Sequence, residues 1–305
     1  MAGLSPAPGV RLDRLSKADV AAAAALSASI GWNQDEADWR RLVDLHPEGA
    51  VAARRQGELV GTATLVSYEG VAPVATAGAL AWLGMVIVSP DARGQGIGSA
   101  VMDAALASWS APQGGVVGLD ATEFGAPLYE RRGFQTVATI DRWAGRLAVR
   151  PAGAVRVRLA GPADLASLTA LDRAETGFDR ASLLEHLAAE ESATLVVAER
   201  AGEPIGYAAI RSGRSHRHVG PLVTRDLAAV EPLLYQIAEY ADGLPVFLDS
   251  VRGALLATRF EAFGLSVVRT LQRMTKVAQA TDPTRPATPV MAATSVVAAT
   301  GFEWG

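Results

Sequence analysis

Arg93-Gly94-Gln95-Gly96-Ile97-Gly98 joins an apolar, β-branched run, Leu83-Gly84-Met85-Val86-Ile87-Val88, to a segment of helical periodicity that begins at Ser99. The chemistry open to such a loop is anion binding. Glycines at 94, 96 and 98 remove the side chains that would hold a phosphate away, so amide N–H groups at a helix N-terminus can point at it. Arg93 adds a fixed positive charge. The loop must be positioned by a strand ending near Val88, which Ser89-Pro90-Asp91 stops with turn chemistry, and by a helix carrying Val101, Ala105 and Trp109 at helical spacing.

Three phosphate-loop patterns compete for this segment. A Walker-type loop needs Lys and then Ser or Thr after its last glycine, whereas Gly98 is followed by Ser99 and Ala100. A dinucleotide fingerprint ends on the wrong residue whether counted from Gly94, where it reaches Ser99, or from Gly96, where it reaches Val101. Asp120, roughly 20 residues on, keeps that reading weakly alive. The third pattern is Arg or Gln, two residues, Gly, one residue, then Gly or Ala, and Arg93, Gly96 and Gly98 meet it. Here the chain resembles the GNAT superfamily of acetyl-coenzyme A-dependent N-acyltransferases, whose pyrophosphate loop has this form. Downstream, Leu128-Tyr129-Glu130 followed by Gly133-Phe134 reads as a short helix closed by a glycine and leading into a strand, and it resembles the second hallmark of that superfamily.

The resemblance implies an α/β (α+β) fold with a mixed, mostly antiparallel sheet flanked by helices, and direct transfer of an acetyl group from acetyl-CoA to a primary amine. It implies that Val86, Ile87 and Val88 pair through their backbone with the pantetheine arm, that residues 93–99 hold the pyrophosphate, and that Tyr129 protonates the departing thiolate. Acyl transfer to an amine also needs a route for the lost proton. Asp120 and Glu123, at the end of the Val116 to Leu119 run, are candidate bases, although Asp249 matches Asp120 in a second copy and a structural role competes. On the acceptor side, Trp32, Asp35 and Glu36 could enclose a cationic amine by cation–π contact and charge, or could form an ordinary helix start; Trp82 carries the same ambiguity.

The chain contains itself twice. Val51-Ala52-Ala53-Arg54 and Gly57 to Gly61 match Val197-Ala198-Glu199-Arg200 and Gly202 to Gly206, and Leu119-Asp120 with Arg142-Trp143 matches Leu248-Asp249 with Arg273-Met274. Matches in the same order argue for duplication of a unit of roughly 150 residues. The expected organisation is residues 1–150, a catalytic acetyl-CoA-binding GNAT unit, and residues 151–305, a degenerate GNAT-like unit. The break is placed near Arg150-Pro151-Ala152-Gly153, and a Pro/Thr stretch from Thr281 to Pro289 leads to a final strand within Met291 to Gly305. The second copy lacks the glycine loop, since Thr224-Arg225-Asp226 follows Gly220-Pro221-Leu222-Val223, and Phe260 stands where the first copy has Tyr129.

The chain has 305 residues, half of them hydrophobic, a net charge of -4, four histidines and no cysteine. That balance offers no electrostatic footprint for nucleic acid. The missing thiols exclude disulfides and thiolate metal sites, and they fit a cytoplasmic setting. No apolar run approaches the roughly 20 residues a membrane helix needs. His216-Arg217-His218 does not have the pattern of a metal site. Oligomeric state is left open, and a non-catalytic acyl-CoA sensor or scaffold is the alternative to an enzyme.

Overall fold

In the computed structural model, the described residues are 8–71, 78–112, 114–148, 155–251, 253–278 and 296–301. The expected boundary at Arg150 to Gly153 and the stretch from Thr281 to Pro289 lie outside them. The first half runs β1 (Val10–Arg14), α1 (Val20–Ser29), α2 (Glu36–Leu45), β2 (Val51–Arg55), β3 (Glu58–Glu69), β4 (Ala79–Val88), α3 (Ile97–Ala107), β5 (Val116–Ala121), α4 (Ala126–Glu130) and β6 (Gln135–Gly145). The second repeats the order with β7 (Arg156–Leu159), α5 (Leu165–Thr176), α6 (Ala181–Ala189), β8 (Ala193–Arg200), β9 (Glu203–Arg211), β10 (Arg217–Thr224), α7 (Val230–Tyr240), β11 (Val246–Ser250), α8 (Gly253–Ala262) and β12 (Leu265–Val277). A last strand, β13 (Val296–Ala298), has no counterpart in the first half among the described residues.

Local chemistry repeats as well as order. The β2–β3 hairpin turns through Gln56 and Gly57 at φ of 53° and 89°, and the β8–β9 hairpin turns through Ala201 and Gly202 at 53° and 85°. Two consecutive positive φ angles suit the right-handed twist of the flanking strands, and a glycine at the second position removes the steric cost there.

The thirteen strands among the described residues join one sheet in the order β1-β2-β3-β4-β5-β12-β6-β11-β10-β9-β8-β7, with β13 on β10. The sheet is mixed and mostly antiparallel; among the described strands only β4–β5 and β10–β11 run parallel. Read inward from either edge, the order is the same for five strands, and then the halves exchange. β12 pairs with β5 of the first half, β6 pairs with β11 of the second, and the exchanged strands pair with each other from Leu265 to Thr275.

The exchange buries two matching ion pairs. Arg273 Nε and a terminal guanidinium nitrogen donate to the two oxygens of Asp120 at 2.8 and 2.8 Å, while Arg142 donates to Asp249 at 2.7 and 2.7 Å. Each pair links a strand of one half to the exchanged strand of the other. On one face of the sheet α1 and α2 share a core with α5 and α6, in which Leu26, Trp39 and Leu42 join Leu168, Leu183 and Leu187. Within that joint, Asp38 accepts from both Arg41 at 3.0 Å and Arg211 at 2.9 Å, and Arg41 also pairs with Glu190. The other face carries separate cores, one under α3 and one under α7 and α8. No helix among the described residues is long and apolar enough to cross a membrane.

Candidate active site

The site begins where the sheet comes apart. β4 and β5 pair only through Leu80 to Trp82 with Val116 to Gly118, after which β5 continues beside β12. The β5-facing edge of β4 beyond Gly84 is therefore left with backbone donors and acceptors that need partners. β4 also bulges there: Ile87 pairs with Thr62 but Gly84 with Thr64, so β4 carries one extra residue. Met85 absorbs the bulge at φ +51°, a left-handed setting for a non-glycine residue that costs on the order of 1–3 kcal/mol. Thr62 Oγ1 donates to the Met85 carbonyl oxygen at 2.8 Å and helps hold this conformation.

The glycine loop follows directly. Gly94 and Gly96 adopt φ of +75° and +76°, and a Cβ on either would meet nothing within 4 Å, so the glycines supply the backbone angle and leave the space in front of the loop open. Gly96 is the residue that precedes the first turn of α3, whose N-terminus has no side-chain cap. Uncapped N–H groups with the helix dipole behind them favour an anion. Behind the loop, Ile97 is buried against Gly61, where a Cβ would come within 2.9 Å of the Ile97 side chain; that close approach seats α3 on the sheet.

A cavity of about 720 Å³ runs from this loop across the sheet. Leu83 to Val86, Val88, Arg93, Gly94 and Gly98 form one wall, and Asp120, Thr122, Leu128 and Tyr129 form the next. Tyr129 is set by α4, which Gly133 ends at φ +84° and which Arg132 ties to Asp103 of α3 at 2.9 Å. The Tyr129 ring meets Phe134 edge-on at 6.1 Å. Burial pushes its hydroxyl up to about 12, so it is protonated at neutral pH and can act as a proton donor.

Asp120 lines the cavity, but both its oxygens accept from Arg273. Burial raises its carboxyl, with Arg273 opposing that shift. Glu123 is exposed and lies off the cavity wall. The acid-lined enclosure expected around Trp32 is not assembled. Trp32 does line the cavity, but Asp35 caps α2 by accepting from the Ala37 and Asp38 amides and takes the Ser212 hydroxyl at 2.6 Å. Glu36 is exposed and pairs with Arg40 at 3.6 Å. The competing reading of that segment, a helix start, describes its acids. Trp82 is fully buried, with the Arg273 guanidinium 4.6 Å from its ring centroid, and does not reach the cavity. Ile87 and Ile97 point into the core, and Gln95 and Ser99 stand off the wall.

The far wall was not legible in the sequence. It comes from the second half and the exchanged strands: Phe247, Val268, Arg269 and Leu271, with Arg142 beside them. His216 stacks flat on Phe247 at 3.9 Å, and Arg142 sits over the same ring at 4.7 Å. His218 is buried, which holds its imidazole well below the usual range and neutral. One signal did exist. The repeat aligns Asp120 with Asp249 and Arg142 with Arg273, an acid and a base in each copy, as cross-pairing between copies requires.

Two family models described as acetyltransferase (GNAT) domains match the chain, one over residues 47–136 and the other over residues 168–286. Among curated proteins, the uncharacterized N-acetyltransferase YitH of Bacillus subtilis is 25% identical over 174 residues, covering 56% of this chain and 61% of its own length. An uncharacterized N-acetyltransferase of Streptomyces avermitilis is 29% identical over 195 residues, covering 57% of this chain and 48% of its own. The chain thus matches about half to three fifths of these relatives. A crystal structure from Pyrococcus horikoshii superposes with a TM-score of 0.78 at 18% identity, covering 100% of this chain and 99% of that one. A GCN5-related N-acetyltransferase from Sphaerobacter thermophilus superposes with a TM-score of 0.60 at 16% identity, covering 90% and 97%. At such identities these structures speak to the fold alone.

Proposed function

Because the chain belongs to the GNAT acetyltransferase family, with one family domain in each half, we propose that it transfers an acetyl group from acetyl-CoA to a primary amine in the cleft between β4 and β5. The observation that carries this reading is the glycine loop at the uncapped start of α3, set beside the free edge of β4 and facing the same cavity as Tyr129. Residues 1–150 form the coenzyme-binding unit and residues 151–305 the degenerate one, with β6 and β12 exchanged between them.

In this account residues 93–99 hold the pyrophosphate through backbone N–H groups and the Arg93 charge, and Val86 to Val88 offer backbone partners to the pantetheine arm. The bulge at Met85 turns a backbone N–H toward the thioester oxygen. The neutral amine attacks the thioester carbon, a C–N bond forms and the C–S bond breaks. Tyr129 gives its proton to the departing sulfur. Asp120 is the only carboxylate on the described cavity wall, and it is engaged by Arg273. We therefore assign it to positioning β12, and the amine loses its proton to water.

Steady release of free thiol from acetyl-CoA in the presence of an amine panel tests the reading. Thiol release that depends on an amine supports it. Tight acetyl-CoA binding with no release across the panel would favour the non-catalytic sensor instead.

A further inference from the structure

The charge on the cavity wall has the opposite sign from the one an acid-lined acceptor site would carry. Among the described residues on that wall the charged side chains are Arg93, Asp120, Arg142 and Arg269. Asp120 is neutralised by Arg273, and Arg142 by Asp249 at 2.7 Å. Arg269 forms no ion pair among the described residues. It stands directly opposite Arg142 across the β12–β6 ladder, next to a bulge in β12. Asp249 already balances Arg142, so Arg269, exposed on the wall, is the guanidinium at this end with which an anion entering the cavity would pair.

Arg93 and Arg269 serve different ends of the cavity. Arg93 follows β4, while Arg269 lies on β12, and β5 stands between these strands. Two strand spacings separate them by about 10 Å before the splay of β4 from β5 is added. Val268 and Leu271 flank Arg269 on β12, and the apolar lining of the cavity also includes Trp32, Phe124 and Phe247.

Resting on the acetyl-transfer reading, we propose that the acceptor is an amine bearing a carboxylate, an apolar α-amino acid in class, and that Arg269 of the second half receives the carboxylate. A guanidinium fork matches a carboxylate with two parallel hydrogen bonds, and the rings and aliphatic side chains of the same cavity receive an apolar substituent. In this way the half without a glycine loop chooses the acceptor for the half that has one.

The test measures kcat/KM of the full chain with acetyl-CoA for apolar L-amino acids, for their carboxamides and for O-phosphoethanolamine. Carboxamides keep the shape and the α-amine but lose the charge. Since their amines are less basic, a preference for the acid cannot come from amine protonation. The expected result is a preference for the amino acid of about tenfold or more, the scale of a hydrogen-bonded charge. That preference should collapse in Arg269→Gln mainly through KM, survive in part in Arg269→Lys and reverse in Arg269→Glu, with acetyl-CoA affinity held. Equal or better turnover of the carboxamides overturns this inference alone, and a preference for O-phosphoethanolamine overturns the carboxylate assignment. Weaker acetyl-CoA binding by Arg269→Gln would return the residue to the coenzyme site. No turnover of these acceptors, with thiol release on other amines of the panel, overturns this inference alone, and no release with any amine overturns the acetyl-transfer reading as well.

Discussion

The two halves of the sheet open in the same way and are closed differently. β4–β5 and β10–β11 are both parallel pairs that part after a few residues, each beside a bulge in the earlier strand. In the first half the gap is part of the 720 Å³ cavity. In the second, β13 fills it: Ala298 pairs with Leu222 and Val296 with Val223, the Ala299 amide donates to the Asp249 carbonyl at 2.8 Å, and the Ser250 hydroxyl donates to the Val297 carbonyl at 2.6 Å. Neither α3 nor α7 carries a side-chain cap, but in the turn that leads into α7 Asp226 accepts from the Ala228 amide at 2.8 Å. Among the described residues, the second half satisfies with its own chain backbone donors and acceptors of the kind that stay open along the β4 edge in the first half. The strand order thus occurs twice and the open edge once.

The largest effect that should separate the clefts lies at Tyr129 and its counterpart Phe260. Tyr129→Phe should lower kcat by about 10²- to 10⁴-fold while acetyl-CoA affinity stays within about twofold, because the ring still packs and only the proton donor is lost. With its hydroxyl raised to about 12, Tyr129 remains protonated through pH 10, so wild-type kcat should show no fall centred near 10 on the alkaline side. An unchanged kcat in the variant would remove the acid role. Phe260 is fully buried against Trp143 at 5.2 Å, so Phe260→Leu should shift the thermal midpoint instead.

The matched ion pairs should break the comparison in the other direction, since they are where the halves are alike. Asp120→Asn and Asp249→Asn each leave an arginine buried without its counter-charge, and each should cost about 3–5 kcal/mol in urea unfolding. A loss below about 1 kcal/mol for either, the scale of an exposed pair, would mean that the exchanged strands are not latched there.

Much of this was readable from the chain, for a physical reason. The hairpin turns at Gly57 and Gly202, the glycine loop and the glycine that ends α4 are local devices, and local spacing reports them. The repeat was readable because Asp120 and Asp249 recur with Arg142 and Arg273 in the same order. What the sequence did not report was pairing between distant segments. Nothing local to β6 or β12 tells which half each joins, so Phe247 and Arg269 could not be assigned to a cavity whose loop lies in the other half. Likewise Asp35 and Glu36 read equally well as a charged pocket or as a helix start until Ser212, the Ala37 and Asp38 amides, and Arg40 were seen to engage them.

The central claim is that one cleft takes the coenzyme and the other is closed by the chain itself. Isothermal titration of the full chain with acetyl-CoA tests it most directly, in the wild type and in Gly96→Val. A branched residue at φ +76° is strained by about 1–2 kcal/mol and intrudes on the open face of the loop, so affinity should fall by about tenfold or more. The account predicts one acetyl-CoA per chain, weakened by that substitution. Two bound molecules per chain, or unaltered binding in Gly96→Val, would contradict it.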